Sequence, residues 1–169
     1  MVDDGYKEGC DIDCYIKHLS EYLNTYGYNI EIKIMIDETT RETCGIEIKK
    51  ERINFLGYNS FLNINIEQGI VYNKRYYVRN YGYHYQSDEI NKVFRLDGKV
   101  GHEPHINNDM GEHIYYNQTG LETKYVNLYI MLIISELINK TKEYPLNNIR
   151  LYNDSIKKSK GMLKWKSQY

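Results

Sequence analysis

Alanine is missing from this chain of 169 residues, and proline occurs only twice. Ile, Asn, Lys and Tyr are read from AT-rich codons and Ala only from GC-rich ones. The bias therefore partly reflects the genome, and 19 tyrosines do not by themselves imply base stacking. Cysteine is scarce as well: Cys10, Cys14 and Cys44 are an odd, sparse set. That excludes a disulfide framework and points to a reducing, cytoplasmic setting. No long apolar run is present. The most apolar stretch, Tyr125 to Ile138, has 14 residues and includes Asn127, Ser135 and Glu136. A bilayer span needs about 20, so a buried helix is expected and no membrane partner. The acidic start, Met-Val-Asp-Asp-Gly, lacks the apolar segment of a secretory leader, and none is expected. Charge of one sign is also lacking. The 22 basic and 23 acidic side chains leave a net charge of −1, which argues against a protein that coats nucleic acid but allows a local basic site.

The apolar fraction of 41% is too high for a disordered chain, and the length favours one domain with an ordinary core. Ile16, Leu19, Tyr22 and Leu23 recur at helical spacing between Asp13 and Tyr26, with Gly27 as the stop. Ile30, Ile32, Ile34 and Ile36 alternate with Glu31 and Lys33, the signature of a half-buried strand. Gly45 to Lys49, Phe61 to Ile66, Ile70 to Tyr85 and Lys92 to Leu96 continue as strands, with a turn expected at Glu67-Gln68-Gly69. A second helix is expected from about Glu122 to Lys140. The fold class implied is α+β: an antiparallel sheet of about five strands in a meander, packed by an N-terminal and a C-terminal helix. Residues 1–149 form the domain. Residues 150–169, with six basic side chains against Asp154, read as a basic C-terminal tail.

Three of the five histidines, His102, His105 and His113, fall in one glycine-bearing polar loop. Imidazoles titrate near neutrality, so His102 and His105 can serve as general base and general acid in RNA cleavage without a metal or other cofactor. A cation must then stabilise the phosphorane, and Arg95, Arg79 and Lys99 are close in sequence. The competing readings are an inert surface loop, or a divalent metal held by His102, His105 and His113 with Asp109 or Glu112. Cys10, Cys14 and His18, spaced by four, offer a weaker metal set that packing explains equally well. Tyr76, Tyr77, Tyr81, Tyr83 and Tyr85 crowd one strand, where high β-propensity accounts for most of them. Tyr83 and Tyr85, flanking His84, are expected to bind substrate by stacking, on the face opposite His84.

The block Tyr-Gly-Tyr83-His84-Tyr85-Gln, then Val-Phe94-Arg95-Leu96-Asp97-Gly98-Lys99, then Gly101-His102-Glu-Pro-His105 resembles the TumE-type toxins of prokaryotic toxin–antitoxin pairs. In that family a tyrosine-bearing strand leads to an Arg-Tyr-Asp-Asn segment followed by a histidine-rich stretch. Arg95 and Asp97 match its first and third positions; Leu96 stands for the tyrosine and Gly98 for the asparagine. The resemblance covers residues 81–113. It implies a small cytoplasmic toxin acting on RNA and neutralised by a cognate antitoxin protein, and it carries over Arg95, Asp97, His102 and His105. The expectation is thus a toxin-like endoribonuclease. His102 and His105 would be acid and base, Arg95 would hold phosphate, and Asp97 would orient a partner. Two other classes remain open. One is a phage or mobile-element protein blocking a host protein through a tyrosine-rich surface; the other is a metal-dependent hydrolase. Oligomeric state is not legible.

Overall fold

The computed structural model of the chain describes residues 8–99, 105–107, 113–115, 119–123 and 126–167. The fold is α+β, an antiparallel meander packed by helices. The strands are β1 (Glu8–Asp11), β2 (Lys33–Ile36), β3 (Thr43–Phe55), β4 (Ser60–Tyr72), β5 (Arg75–Ser87), β6 (Lys92–Lys99), β7 (His105–Asn107), β8 (His113–Tyr115) and β9 (Lys166–Ser167). Among the described residues the helices are α1 (Ile12–Thr25), α2 (Leu128–Thr141) and α3 (Ile149–Met162), with a 3-10 turn at Pro145–Asn147. Strands β2 to β8 neighbour one another in chain order. β1 joins β5 on one side and β9 on the other.

Local chemistry sets the element ends. Asp11 caps α1 by accepting from the Cys14 N–H at 2.9 Å, and Asn127 caps α2 by accepting from Ile130 N–H at 3.1 Å. Between β4 and β5 the turn lies at Asn73 and Lys74, whose φ values of 50° and 61° are those of a type I′ hairpin. The expected turn at Gly69 is instead mid-strand. A Cβ there would lie 2.4 Å from the Tyr76 ring and 2.5 Å from the Tyr77 carbonyl oxygen, so glycine permits a close approach rather than a reversal.

The stretch read as a basic tail is part of the fold. Tyr152, Ile156 and Leu163 are fully buried, α3 packs on α2, and β9 pairs Lys166 with Gly9. Lys157 and Lys158 are exposed on the outer face of this amphipathic helix.

The core lies between the helices and one sheet face. Ile46, Ile48, Ile53, Leu62, Ile64, Tyr83, Tyr85, Phe94 and Leu96 supply that face, and Leu19, Leu23, Leu132 and Ile138 meet it from the helices. Nine of the described tyrosines are buried. In a chain without alanine, tyrosines fill the interior, and the hydroxyls of Tyr15, Tyr76, Tyr83, Tyr85 and Tyr152 find acceptors there. Glu67, fully buried, accepts hydrogen bonds from Tyr15 Oη (2.6 Å), Tyr76 Oη (3.0 Å), Tyr83 Oη and the Leu128 N–H (2.6 Å) at the start of α2. Burial pushes the Glu67 carboxyl above its ordinary range, and these donors oppose the shift. Asn139 of α2 accepts from Ser60 Oγ and Tyr85 Oη, both at 2.6 Å.

Candidate functional site

Strand alternation sends every second residue to the face away from the helices. On the four long strands these residues form a cross-strand row. Arg52 pairs with Asn63, Asn63 with His84, and His84 with Arg95; the register continues through Asn107 of β7 to His113 of β8. Directly opposite residues share a face, so Arg52, Asn63, His84 and Arg95 stand side by side. One row further, Asp97 lies opposite Gly82 in β5 and His105 in β7. Glycine at 82 leaves room for the carboxylate: a Cβ there would come within 3.0 Å of Asp97 Oδ1.

The row is partly stacked. The Phe61 and His84 rings are parallel within 8°, with centroids 6.2 Å apart, and the Arg52 guanidinium lies 3.8 Å from the Phe61 centroid. Arg52 Nε also donates to Asn54 Oδ1 at 3.2 Å. Burial, and then the positive charge of Arg95, hold the His84 imidazole below its ordinary value of 6.5. His84 is therefore neutral at pH 7 and able to accept a proton. Arg95 Nε is buried and has no hydrogen-bond partner among the described residues.

Of the expected site residues, Arg95 and Asp97 share one face, with the His105 backbone in register beside Asp97. His102 lies outside the described residues. Tyr83 and Tyr85 do not stack substrate. They share the face opposite His84, as alternation implied, but that face is the core, where they are 0% and 1% exposed and their hydroxyls serve Glu67 and Asn139. Arg79 is the extra residue of a bulge, five positions and about 17 Å along β5 from His84. Lys99 is exposed at the end of β6, about 13 Å from Arg95, so neither cation joins the row. Cys10 belongs to β1, not to α1, and its buried thiol is held well above its ordinary range by burial and Glu67. It is thus poorly suited to ligate a metal beside Cys14 and His18. Among the described residues no three His, Cys, Asp or Glu side chains gather at one point; of the stretch read as a histidine loop, His105 lies in β7 and His113 in β8.

His84, Arg52 and Phe61 were not among the expected site residues. Their signal was present: each alternates with core residues, Arg52 with Ile53, Phe61 with Leu62, and His84 with Tyr83 and Tyr85. Among the described residues no helix is long and apolar enough to cross a membrane. No protein-family model, curated protein or solved structure matches the chain.

Proposed function

We propose that the chain is a toxin-like endoribonuclease that holds RNA on the open sheet face and cleaves it by histidine chemistry. The observation that supports this best is the pairing of a neutral His84 with Arg95 on that face, with the His105 backbone one row away. His84 takes the proton of a ribose 2′-hydroxyl. The 2′-oxygen bonds to phosphorus, and the phosphorus–5′-oxygen bond breaks. His105 returns a proton to the leaving 5′-oxygen, while His102, three residues earlier in the sequence, is a candidate for either transfer. Arg95 faces the charge that develops on the phosphorane, and Asp97 orients its neighbours. The products are a 2′,3′-cyclic phosphate and a 5′-hydroxyl, and the route calls for no metal. The resemblance to TumE-type toxins adds cytoplasmic action and a neutralising antitoxin to the proposal.

The host-blocking reading draws less support. Among the described tyrosines only Tyr26, Tyr58 and Tyr72 are exposed, and Tyr72 sits apart on the β4–β5 hairpin.

Purified protein incubated with total RNA tests the proposal. Wild type should cleave in EDTA and leave 5′-hydroxyl ends. His84→Ala and the His102→Ala/His105→Ala double variant should each lose about 10²–10⁴-fold in rate. Equal cleavage by all three proteins would sink the assignment.

A further inference from the structure

A cavity lies at the Arg52 end of the polar row. Strand β2 pairs with β3 only between Thr43 and Glu47, so the second half of β3 has no described strand on that side. The chain leaving α1 passes there instead. Gly27, at φ 69°, turns it, and the rings of Tyr26 and Tyr28 stack 5.9 Å apart at 15°. Between this segment and the end of β3 is a cavity of about 200 Å3, lined by Tyr26, Tyr28, Asn29, Arg52, Asn54 and Leu56.

Its size and lining are selective. Drug-sized sites occupy about 300–1,000 Å3, so this one fits a single small planar group. Two asparagine amides can read hydrogen-bonding edges, the two tyrosines offer ring faces, and Arg52 supplies a cation. Tyr28 is braced edge-on against Phe55 at 87°, so its ring is set by the core. Glu136, which accepts from the lining residue Tyr26, is also engaged by Tyr22 and Lys140. Leu56, 83% exposed at the rim, gives apolar surface to cover a bound ring. Arg52 joins the two features, since its guanidinium covers Phe61 in the row while the same residue lines the cavity.

The geometry points to a nucleobase pocket: the cavity receives one unpaired base of a single-stranded RNA whose backbone runs along Arg52, His84 and Arg95. This rests on the ribonuclease reading and adds the form of substrate to it. A base in a duplex is stacked and paired on both sides and cannot enter, so the site selects single strands.

The test uses the full chain and a fluorescent 2′-O-methyl RNA 10-mer, which binds but cannot be cleaved, as a single strand and as a duplex. Wild type should bind the single strand at least tenfold more tightly. Arg52→Gln and Asn54→Trp, the latter filling the cavity, should each weaken binding about tenfold while the melting temperature stays within a few degrees. In wild type, 4-thiouridine RNA should cross-link to residues 26–30 or 52–56, a readout that survives if either variant fails to fold. If wild type binds and cleaves RNA but folded variants bind equally well and cross-links map elsewhere, the pocket is refuted and the ribonuclease reading stands. If the variants weaken binding and no cleavage occurs, the pocket stands and the ribonuclease reading falls. If wild type neither binds nor cleaves, both fall.

Discussion

His84 and Glu67 are titratable side chains on opposite faces of one sheet, and their surroundings give them different work. Glu67 is enclosed, held by three tyrosines and a helix N-terminus, and meets no solvent. It acts as a keystone between β4, β5, α1 and α2. His84 is half-buried beside a guanidinium, and both circumstances disfavour its charged form. Because its folded-state pKa lies below the unfolded value of 6.5, it contributes stability that is present above pH 6.5 and lost as pH falls through the native pKa. The His84 ring resonances in an NMR titration should show a midpoint below 6.5. Arg95→Gln should raise that midpoint without restoring 6.5, because burial is the larger cause and remains. A midpoint unmoved by Arg95→Gln would mean that the two side chains do not share a field.

At the scale of elements, α3 is the test of what belongs to the domain. Burying Tyr152, Ile156 and Leu163 contributes about 1.5–3 kcal/mol each, a large share of the 5–15 kcal/mol that typically holds a domain together. A chain ending at residue 149 should therefore fail to fold, with collapsed amide dispersion in its NMR spectrum. Ile156→Ala in the full chain should cost about 2–5 kcal/mol in urea unfolding. A folded, cooperative 1–149 fragment would show that α3 is an accessory. In the sequence the six cations of this stretch obscured Tyr152, Ile156 and Leu163, although their spacing of four and seven is helical. Strand alternation was more legible: Ile46 and Ile48, and Leu62 and Ile64, face the core as read, whereas Ile34 and Ile36 of the first alternating run are exposed. Gly69 misled because a glycine needed for contact with Tyr76 looks the same in sequence as one needed for a turn. Asn73-Lys74 lacks the Asn-Gly or Asp-Gly signature of its hairpin.

At the scale of the molecule, the row and the cavity are written across strands far apart in sequence. Arg52, Phe61, His84 and Arg95 meet only once β3, β4, β5 and β6 have paired, which no local pattern reveals. The sequence placed Arg95 and Asp97 at the end of a strand before the histidine loop, but the partner histidine in β5 emerges from the register. The net charge of −1 has a counterpart in solution behaviour. With two arginines in the row, the affinity for single-stranded RNA should fall with salt at a log–log slope of about −1.4. Fluorescence anisotropy across a salt series measures it, and a slope steeper than about −4 would locate the RNA on a different, more basic surface.

The pairing of β1 with both β5 and β9 bears on how the protein is made. β1 is made before both of its partners, which are Tyr76 and Arg75 on one side and Lys166 and Ser167 on the other. One of its edges stays open until Lys166 and Ser167 have been made. Until then the nascent chain carries an incomplete sheet edge, a template for pairing with a neighbouring nascent chain on the same message. Slow translation of the last helix would prolong that exposure, so codon choice in the segment encoding α3 should influence the yield of soluble protein without altering a residue.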